Sequence, residues 1–373
     1  MKILFVTDLC PIRDDEKGLP LTLLNFIEDF KKFGHEVVLF RPNIIPNVLL
    51  RGRKILPEGI FEYKGIKCIN KNYFTPFFSK KQFKFLKKEG FDVILSHMPS
   101  GLLAARKMSK ALKIPYFASV HSSDIEVLTN KKYKFLWHAI KKGYLNAKNV
   151  FPRSYWLKDK IEEIMPELRN NTFLIPSGIE KEKLISREEI NQKANKFYGM
   201  PYKILSVGSL IKRKNFELLI EAISEFDDVQ LEIIGDGKNK KKLEKLVNNL
   251  NLSDRINFLG YKTKVEVLNL MKENSIFILP SMNETFGMVY LEALSQGMIV
   301  VCSKNSGMDG FIQDGKNGFI TELTKESLVS VIEKIKNIQN PSGIMNNALD
   351  VAIELEREKM AKNYLNLIQN ILF

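Results

Sequence analysis

Short apolar runs rich in β-branched and aromatic residues alternate with helix-period stretches along nearly the whole chain, and the rhythm starts twice. In the first half the runs are KILFVTDL (2–9), HEVVLF (35–40), FDVILSH (91–97) and PYFASV (115–120), with a shorter one at 149–151. Leu23, Leu24, Ile27, Phe30 and Phe33 recur at helical spacing between the first two, and 101–113 has the same period. The second half restarts with KILSVG (203–208), QLEIIG (230–235), INFLG (256–260), SIFILP (275–280) and MIVVCS (298–303), with helical stretches between them. Strands buried on both faces read as continuous apolar runs, and crossover helices join them into parallel sheets. The pattern predicts an α/β chain of two Rossmann-like domains with mainly parallel sheets facing each other across a cleft. The 373 residues suit that number at roughly 150 residues per domain. The domains are expected at 1–171 and 186–350, joined by a linker at 172–185. A helical period from about 343 to 371 puts a last helix at 351–373, crossing back toward the N-terminal domain.

Composition narrows the setting. Cys10, Cys68 and Cys302 are too few and too scattered for a disulfide framework or a cysteine zinc site. No apolar run approaches the ~20 residues of a membrane span. The opening KILFV is too short for a signal-peptide core, so the expectation is a cytoplasmic protein. The net charge of +14 is lopsided: residues 1–175 carry 31 Lys+Arg against 17 Asp+Glu, whereas 176–373 carry 26 of each. Within the basic half, residues 51–88 hold 11 basic residues, two acids (Glu58, Glu62), and interleaved aromatics from Phe61 to Phe85. Three readings stand: a solvated basic face over core aromatics, a nucleic-acid surface, or a segment pressed on an anionic membrane. No recognised nucleic-acid motif accompanies it, so no nucleic-acid partner is expected. The membrane reading is favoured and would place the protein peripherally on the inner face of the cell membrane.

Open α/β sheets bind ligands just beyond the carboxyl ends of their strands. Two such places carry chemistry in the second half. In VGSLIKRKN (207–215), Gly208 lets the chain turn, and Lys212, Arg213 and Lys214 precede a helix that begins near Asn215. Cations at a helix N-terminus oppose its dipole, so the cluster calls for an anion there. In PSMNETFGMVYLEALSQG (280–297), a buried strand ends, a polar loop carries Glu284, and a helix starting near Gly287 carries Glu292. At ~1.5 Å rise per residue the two carboxylates stand well apart. They fit either a hydrolase acid/base pair or, better, an anion over the amides of Phe286, Gly287 and Met288 with a hydroxyl-binding carboxylate on each side. Sugar, diphosphate and ribose present that order of groups.

The last segment resembles the signature of glycosyltransferase family 4, the group 1 glycosyltransferases, which are retaining enzymes of the GT-B fold. VGSLIKRKN is similar to that family's donor-phosphate loop. IIGDG (233–237), INFLGY (256–261), IPSGIE (175–180) and GMDGFIQDGKNGFI (307–320) follow in the family's order. The resemblance implies a donor site of Gly208, Arg213, Lys214, Glu284, Thr285, Phe286, Gly287, Met288 and Glu292. It implies Glu284 on the donor sugar, Glu292 on the ribose, and Arg213 with Lys214 on the diphosphate. Many relatives carry Arg where Ser209 stands, so Arg213 is the residue expected to supply that charge. In the first half, VHSSDI (120–125) resembles the family's histidine loop, which implies His121 at the donor sugar and Asp124 orienting the loop. Gly18 sits in the first strand–helix loop, where relatives often have two glycines on the acceptor side.

The activity implied is transfer of a sugar from a nucleotide diphosphate sugar, UDP by default, to a hydroxyl of a glycan or lipid-linked acceptor in bacterial surface polysaccharide or glycoconjugate synthesis. Catalysis would rest on His121, Arg213, Lys214 and Glu284, with no cofactor. No metal is expected either, since no Asp-x-Asp motif occurs. Two rivals remain: an epimerase or phosphorylase on the same architecture, and a non-catalytic protein that binds nucleotides or nucleic acid.

Overall fold

In the computed structural model the apolar runs become the strands of two sheets; the structure describes residues 1–9, 21–44 and 57–372. The chain divides into two compact units. The first comprises Met1–Arg153, Leu157–Pro176 and Met360–Phe373, and the second Ser154–Trp156 and Ser177–Lys359.

The first unit holds a seven-stranded sheet formed by β1 (Lys2–Val6), β2 (Glu36–Ile44), β3 (Gly59–Tyr63), β4 (Ile66–Tyr73), β5 (Val93–Ser96), β6 (Tyr116–Val120) and β7 (Val150–Pro152). Their spatial order is β3-β4-β2-β1-β5-β6-β7, all parallel except β3, which runs antiparallel to β4. Ile3, Leu4, Phe5 and Val6 are fully buried, as are Val93, Ile94 and Leu95, because helices cover both faces. Helix α1 (Leu21–Lys32) buries Leu23, Leu24, Ile27 and Phe30 at the predicted period. Helices α2 (Met98–Leu112), α3 (Ser122–Thr129), α4 (Lys134–Leu145) and α5 (Tyr155–Ile164) follow β5, β6 and β7.

The second unit is an all-parallel sheet of β8 (Tyr202–Val207), β9 (Val229–Ile234), β10 (Ile256–Gly260), β11 (Ile276–Ile278), β12 (Ile299–Ser303) and β13 (Phe319–Thr321). The order is β10-β9-β8-β11-β12-β13. Its helices are α6 (Arg187–Asn195), α7 (Phe216–Ile223), α8 (Lys240–Asn249), α9 (Lys264–Glu273), α10 (Met288–Ser295), α11 (Lys325–Lys336) and α12 (Pro341–Glu354), followed by α13 (Arg357–Leu372). In each sheet the chain winds outward one way and then the other. The reversals fall between β1 and β5 and between β8 and β11. These are topological switch points, where strand-end loops part to admit a ligand.

Three elements differ from expectation. The hairpin β3–β4 occupies part of the basic-aromatic segment, turning at Lys64 (φ 48°) and Gly65 (φ 69°). Tyr63, Tyr73, Phe78 and Phe83 are core residues there, whereas Phe74, Phe77 and Phe85 are 80%, 56% and 40% exposed. Residues 51–56 of that segment lie outside the described residues, as does Gly18. The short β13 hides in the glycine-rich stretch. The helical period from 343 to 371 is two helices: at the break, Ile179 donates its N–H to Leu355 O (2.9 Å) and accepts from Arg357 N–H (2.8 Å). Those bonds replace the helix's own. Gly178 makes the approach possible, since a Cβ there would lie 2.4 Å from the Arg357 Cα. Beyond the break, α13 carries Tyr364 into the first unit, against Phe26, Phe30 and Phe151 at ring distances of 5.0–5.5 Å. Among the described residues no helix is long and apolar enough to cross a membrane.

Candidate functional site

The switch point of the second sheet gathers the predicted donor residues. After β8 the chain passes Gly208 and forms a 3-10 turn at Lys212–Lys214. Asn215, in a left-handed conformation at φ 56°, then opens α7. After β11 the loop is tied to that turn by its backbone: Met282 N–H donates to Arg213 O at 2.8 Å, and Ser281 Oγ also reaches that oxygen. The two loops thereby bring one carboxylate oxygen under three donors. Lys214 Nζ lies 2.5 Å, Ser281 Oγ 2.6 Å and Arg213 Nη1 2.7 Å from Glu284 Oε1. Glu284 is 7% exposed. Burial alone would raise its pKa, but the charges of Lys214 and Arg213 outweigh burial and hold the carboxyl below its ordinary value. The group is an anion buried among cations. All these contacts fall on Oε1. Ser306 Oγ accepts the Glu284 N–H at 3.3 Å and fixes the loop from the other side.

The Gly235-Asp236-Gly237 turn, mute as sequence, straps this loop. Gly208 N–H donates to Ile234 O and Leu210 N–H to Asp236 O, each at 2.9 Å. Gly235 sits at φ 142°, with room for no Cβ: one would fall 2.0 Å from the Gly208 carbonyl oxygen.

Helix α10 starts at Met288 behind Gly287, whose φ of 92° a side chain would resist. Its first amides have no partners within the helix, so its N-terminus presents N–H groups and the positive end of the dipole. Phe286 is buried with its ring against Phe311, and Thr285, Gly287 and Met288 are half-buried. Glu292, in the helix's second turn, is 8% exposed. Its Oε1 lies 3.1 Å from Nζ of Lys264, the first residue of α9. Burial pushes the Lys264 amine down, and the charges of Glu292 and Glu180 more than restore it. Lys264, Ser281 and Ser306 are not among the residues expected from the sequence. Ser209, exposed in the same loop, places no cation there, and Arg213 makes the contact instead. A cavity of about 660 Å³ lined by Lys193, Tyr202, Lys272 and Ile276 lies at the amino ends of β8 and β11, the end opposite this cluster.

In the first unit His121 follows β6 and caps α3. Asp124, fully buried, accepts the His121 N–H at 3.0 Å and so pins the loop's backbone. Burial raises the Asp124 carboxyl to about 7, although the Tyr144 hydroxyl and the His121 amide pull the other way. Burial and then the Arg153 charge push the His121 imidazole down to about 3, so the ring is neutral. A second histidine, His97, meets His121: its Nδ1 lies 3.1 Å from His121 Nε2. The sequence signal for it was a polar residue directly after a buried strand beside the switch point.

Residues 187–349 match the family described as Glycosyl transferases group 1, and residues 17–183 match Glycosyltransferase Family 4. An uncharacterized glycosyltransferase of Methanocaldococcus jannaschii is 29% identical over 329 residues, 87% of this chain and 85% of the relative. The alpha-monoglucosyldiacylglycerol synthase of Acholeplasma laidlawii is 25% identical, with 94% of each chain covered. Among solved structures, Anabaena HepE in complex with UDP has a TM-score of 0.75 at 20% identity, covering 99% of this chain and all of the other.

Proposed function

Starting from a chain that belongs to the group 1, family 4 glycosyltransferases, has their GT-B fold and serves polysaccharide or glycolipid biosynthesis, we propose a retaining transfer of a hexosyl or N-acetylhexosaminyl group from a UDP-sugar to a hydroxyl of a lipid-linked or glycan acceptor. The observation that carries the reading is the convergence of Lys214, Arg213 and Ser281 on Glu284 beside the α10 N-terminus. Charge grows on the diphosphate as it leaves. Two cations and a row of amides fixed in advance meet that charge without reorganising, which is the largest single source of catalysis in reactions of this kind. With both cations supplied by the chain, the reaction needs no metal ion. Glu284 keeps Oε2 for a sugar hydroxyl, Glu292 takes the ribose, and the leaving phosphate accepts the proton of the acceptor hydroxyl. His121 and Asp124 of the first unit are assigned to the transferred sugar and the acceptor.

The UDP assignment draws on the fold shared with HepE, crystallised with UDP. The lipid acceptor draws on the diacylglycerol relative and on one segment of this chain. Residues 74–88 expose Phe74, Phe77 and Phe85 together with Lys80, Lys81, Lys84, Lys87 and Lys88. Aromatics that insert at an interface, with lysines worth ~1 kcal/mol each against anionic headgroups, suit a protein docked on the inner face of the cell membrane. The test is incubation of the purified chain with UDP-sugars and diacylglycerol or polyprenyl-diphosphate acceptors in anionic vesicles, with chelator present. The reading predicts acceptor-dependent UDP release and a product whose anomeric configuration matches the donor's. An inverted product, or epimerised donor without acceptor, would refute it.

A further inference from the structure

A buried polar line runs behind His121. His97 closes β5 as the N-cap of α2, is fully buried, and stacks flat on Phe5 (ring centroids 4.4 Å apart, planes 15° apart). With no exposure it touches no substrate, yet both its ring nitrogens are engaged. Nδ1 meets His121 Nε2 at 3.1 Å, and Nε2 meets Ser119 Oγ at 3.2 Å. Ser119 Oγ in turn lies 3.4 Å from the hydroxyl of Tyr364, which α13 brings into this unit. The residue after His97, Met98, has a φ of 68°, a conformation that is costly for a bulky side chain and concentrated at functional sites.

The line couples the two rings. Either hydroxyl of the Tyr364–Ser119 pair can donate, and the role of each ring nitrogen follows the tautomer. A neutral imidazole has one donor and one acceptor nitrogen, so the role His97 takes toward Ser119 at Nε2 sets its role at Nδ1, and His121 Nε2 must take the complementary one. The groups that set the charge here are Arg153, Asp124, Tyr144 and Asp8. Burial and the neighbouring positive charges hold both imidazoles neutral.

We propose that His97 is a positioning residue for His121: anchored through Ser119 to Tyr364 of the last helix, it holds the His121 ring in one orientation and one tautomer. This inference rests on the assignment of His121 to that sugar.

The chain has four histidines, which makes ring assignment practicable with selective ¹⁵N-histidine labelling of the full chain. Long-range ¹⁵N–¹H correlation should show His97 and His121 each protonated at a single nitrogen, unchanged from about pH 6 to 8. In His97→Phe, which keeps the stack on Phe5, His121 should average between tautomers, and kcat should fall roughly tenfold with donor KM changed much less. His97→Asn places an amide, able to donate or accept, near the Nδ1 position and should recover most of the rate. Tyr364→Phe, remote from both rings, should weaken the tautomer preference. A wild-type His121 that averages between its two tautomers, or a His97→Phe chain with unchanged tautomer and rate, would overturn the proposal. His121→Ala at the wild-type rate would overturn the assignment of His121 itself, a failure separable from the first because the spectra do not depend on turnover.

Discussion

Lys214→Met retains the stem that packs beside Gly208 and removes one charge from the cluster around Glu284. The side chains of Lys214 and Glu284 are 12% and 10% exposed, so their attraction is little screened, whereas Arg213 is 44% exposed. Breaking a buried ion pair costs about 3–5 kcal/mol because the surviving charge is left in a dry site. The half-exposed Arg213 contact, worth ~0–1 kcal/mol, and Ser281 offset part of that, so about 3 kcal/mol is expected. That is a large share of the ~5–15 kcal/mol that holds a domain folded. Urea unfolding, followed by amide exchange in β8 and β11 to isolate the second unit, measures it. Lys214→Met/Glu284→Gln removes both charges and should regain most of the loss, while both variants stay inactive for lack of a phosphate contact. Loss and recovery of stability with no recovery of activity separates the pair's structural from its functional role. A Lys214→Met chain within about 1 kcal/mol of wild type, or a double variant less stable than the single one, would show that the Lys214–Glu284 pair does not behave as a buried ion pair.

Glu292→Ala should lower kcat/KM at least tenfold, about 1.4 kcal/mol, with the unfolding midpoint almost unmoved, since the released Lys264 is partly exposed and recovers its hydration. Acid should weaken the first unit. His97 and His121 have pKa values depressed from 6.5, so the stability they hold is complete above that value and drains as the pH falls. Asp124, raised from 3.8 to about 7, works with the opposite sign across that window, gaining stability as the pH falls. Asp124→Asn removes the offset and should steepen the acid limb by about one proton, or ~1.4 kcal/mol per pH unit near pH 5, as read by urea unfolding. An unchanged slope would show that Asp124 titrates normally. Vesicle sedimentation should give salt-sensitive binding to anionic but not neutral lipid, weakened by Phe74→Ser/Phe77→Ser and by Lys84→Glu/Lys88→Glu. Equal binding to both lipids would remove the docking face.

What the sequence disclosed follows from how local each signal is. KILFV and MIVVCS are legible as strands because their burial on both faces leaves uninterrupted apolar runs. The Glu284–Glu292 segment is legible because strand, polar loop and helix start are contiguous. The hairpin at 59–73 is hidden because only one residue in two is buried and lysines fill the gaps between them. The break at Leu355 and Glu356 leaves no mark in the helical period, since the competing backbone is that of Ile179, far away in the chain. Lys264 beside Glu292 and His97 beside His121 are products of strand order. Their partners lie one crossover away, and only the parallel sheet brings them together. The basic excess likewise needed structure to be sorted: Tyr63, Tyr73, Phe78 and Phe83 serve the core, which leaves Phe74, Phe77 and Phe85 to the surface.

If the loops after β8 and β11 seat the diphosphate of a nucleotide sugar, the chain should respond to that group before the base or the ribose. Titration of the full chain with UDP, UMP and uridine, with thermal unfolding as the readout, measures this. A ligand at 100 times its Kd stabilises by ~2.7 kcal/mol. UDP should stabilise the chain, UMP much less and uridine almost not at all, with the UDP response reduced at least tenfold in affinity by Lys214→Met. Equal responses to UDP and uridine, or a UDP response that survives Lys214→Met intact, would contradict it.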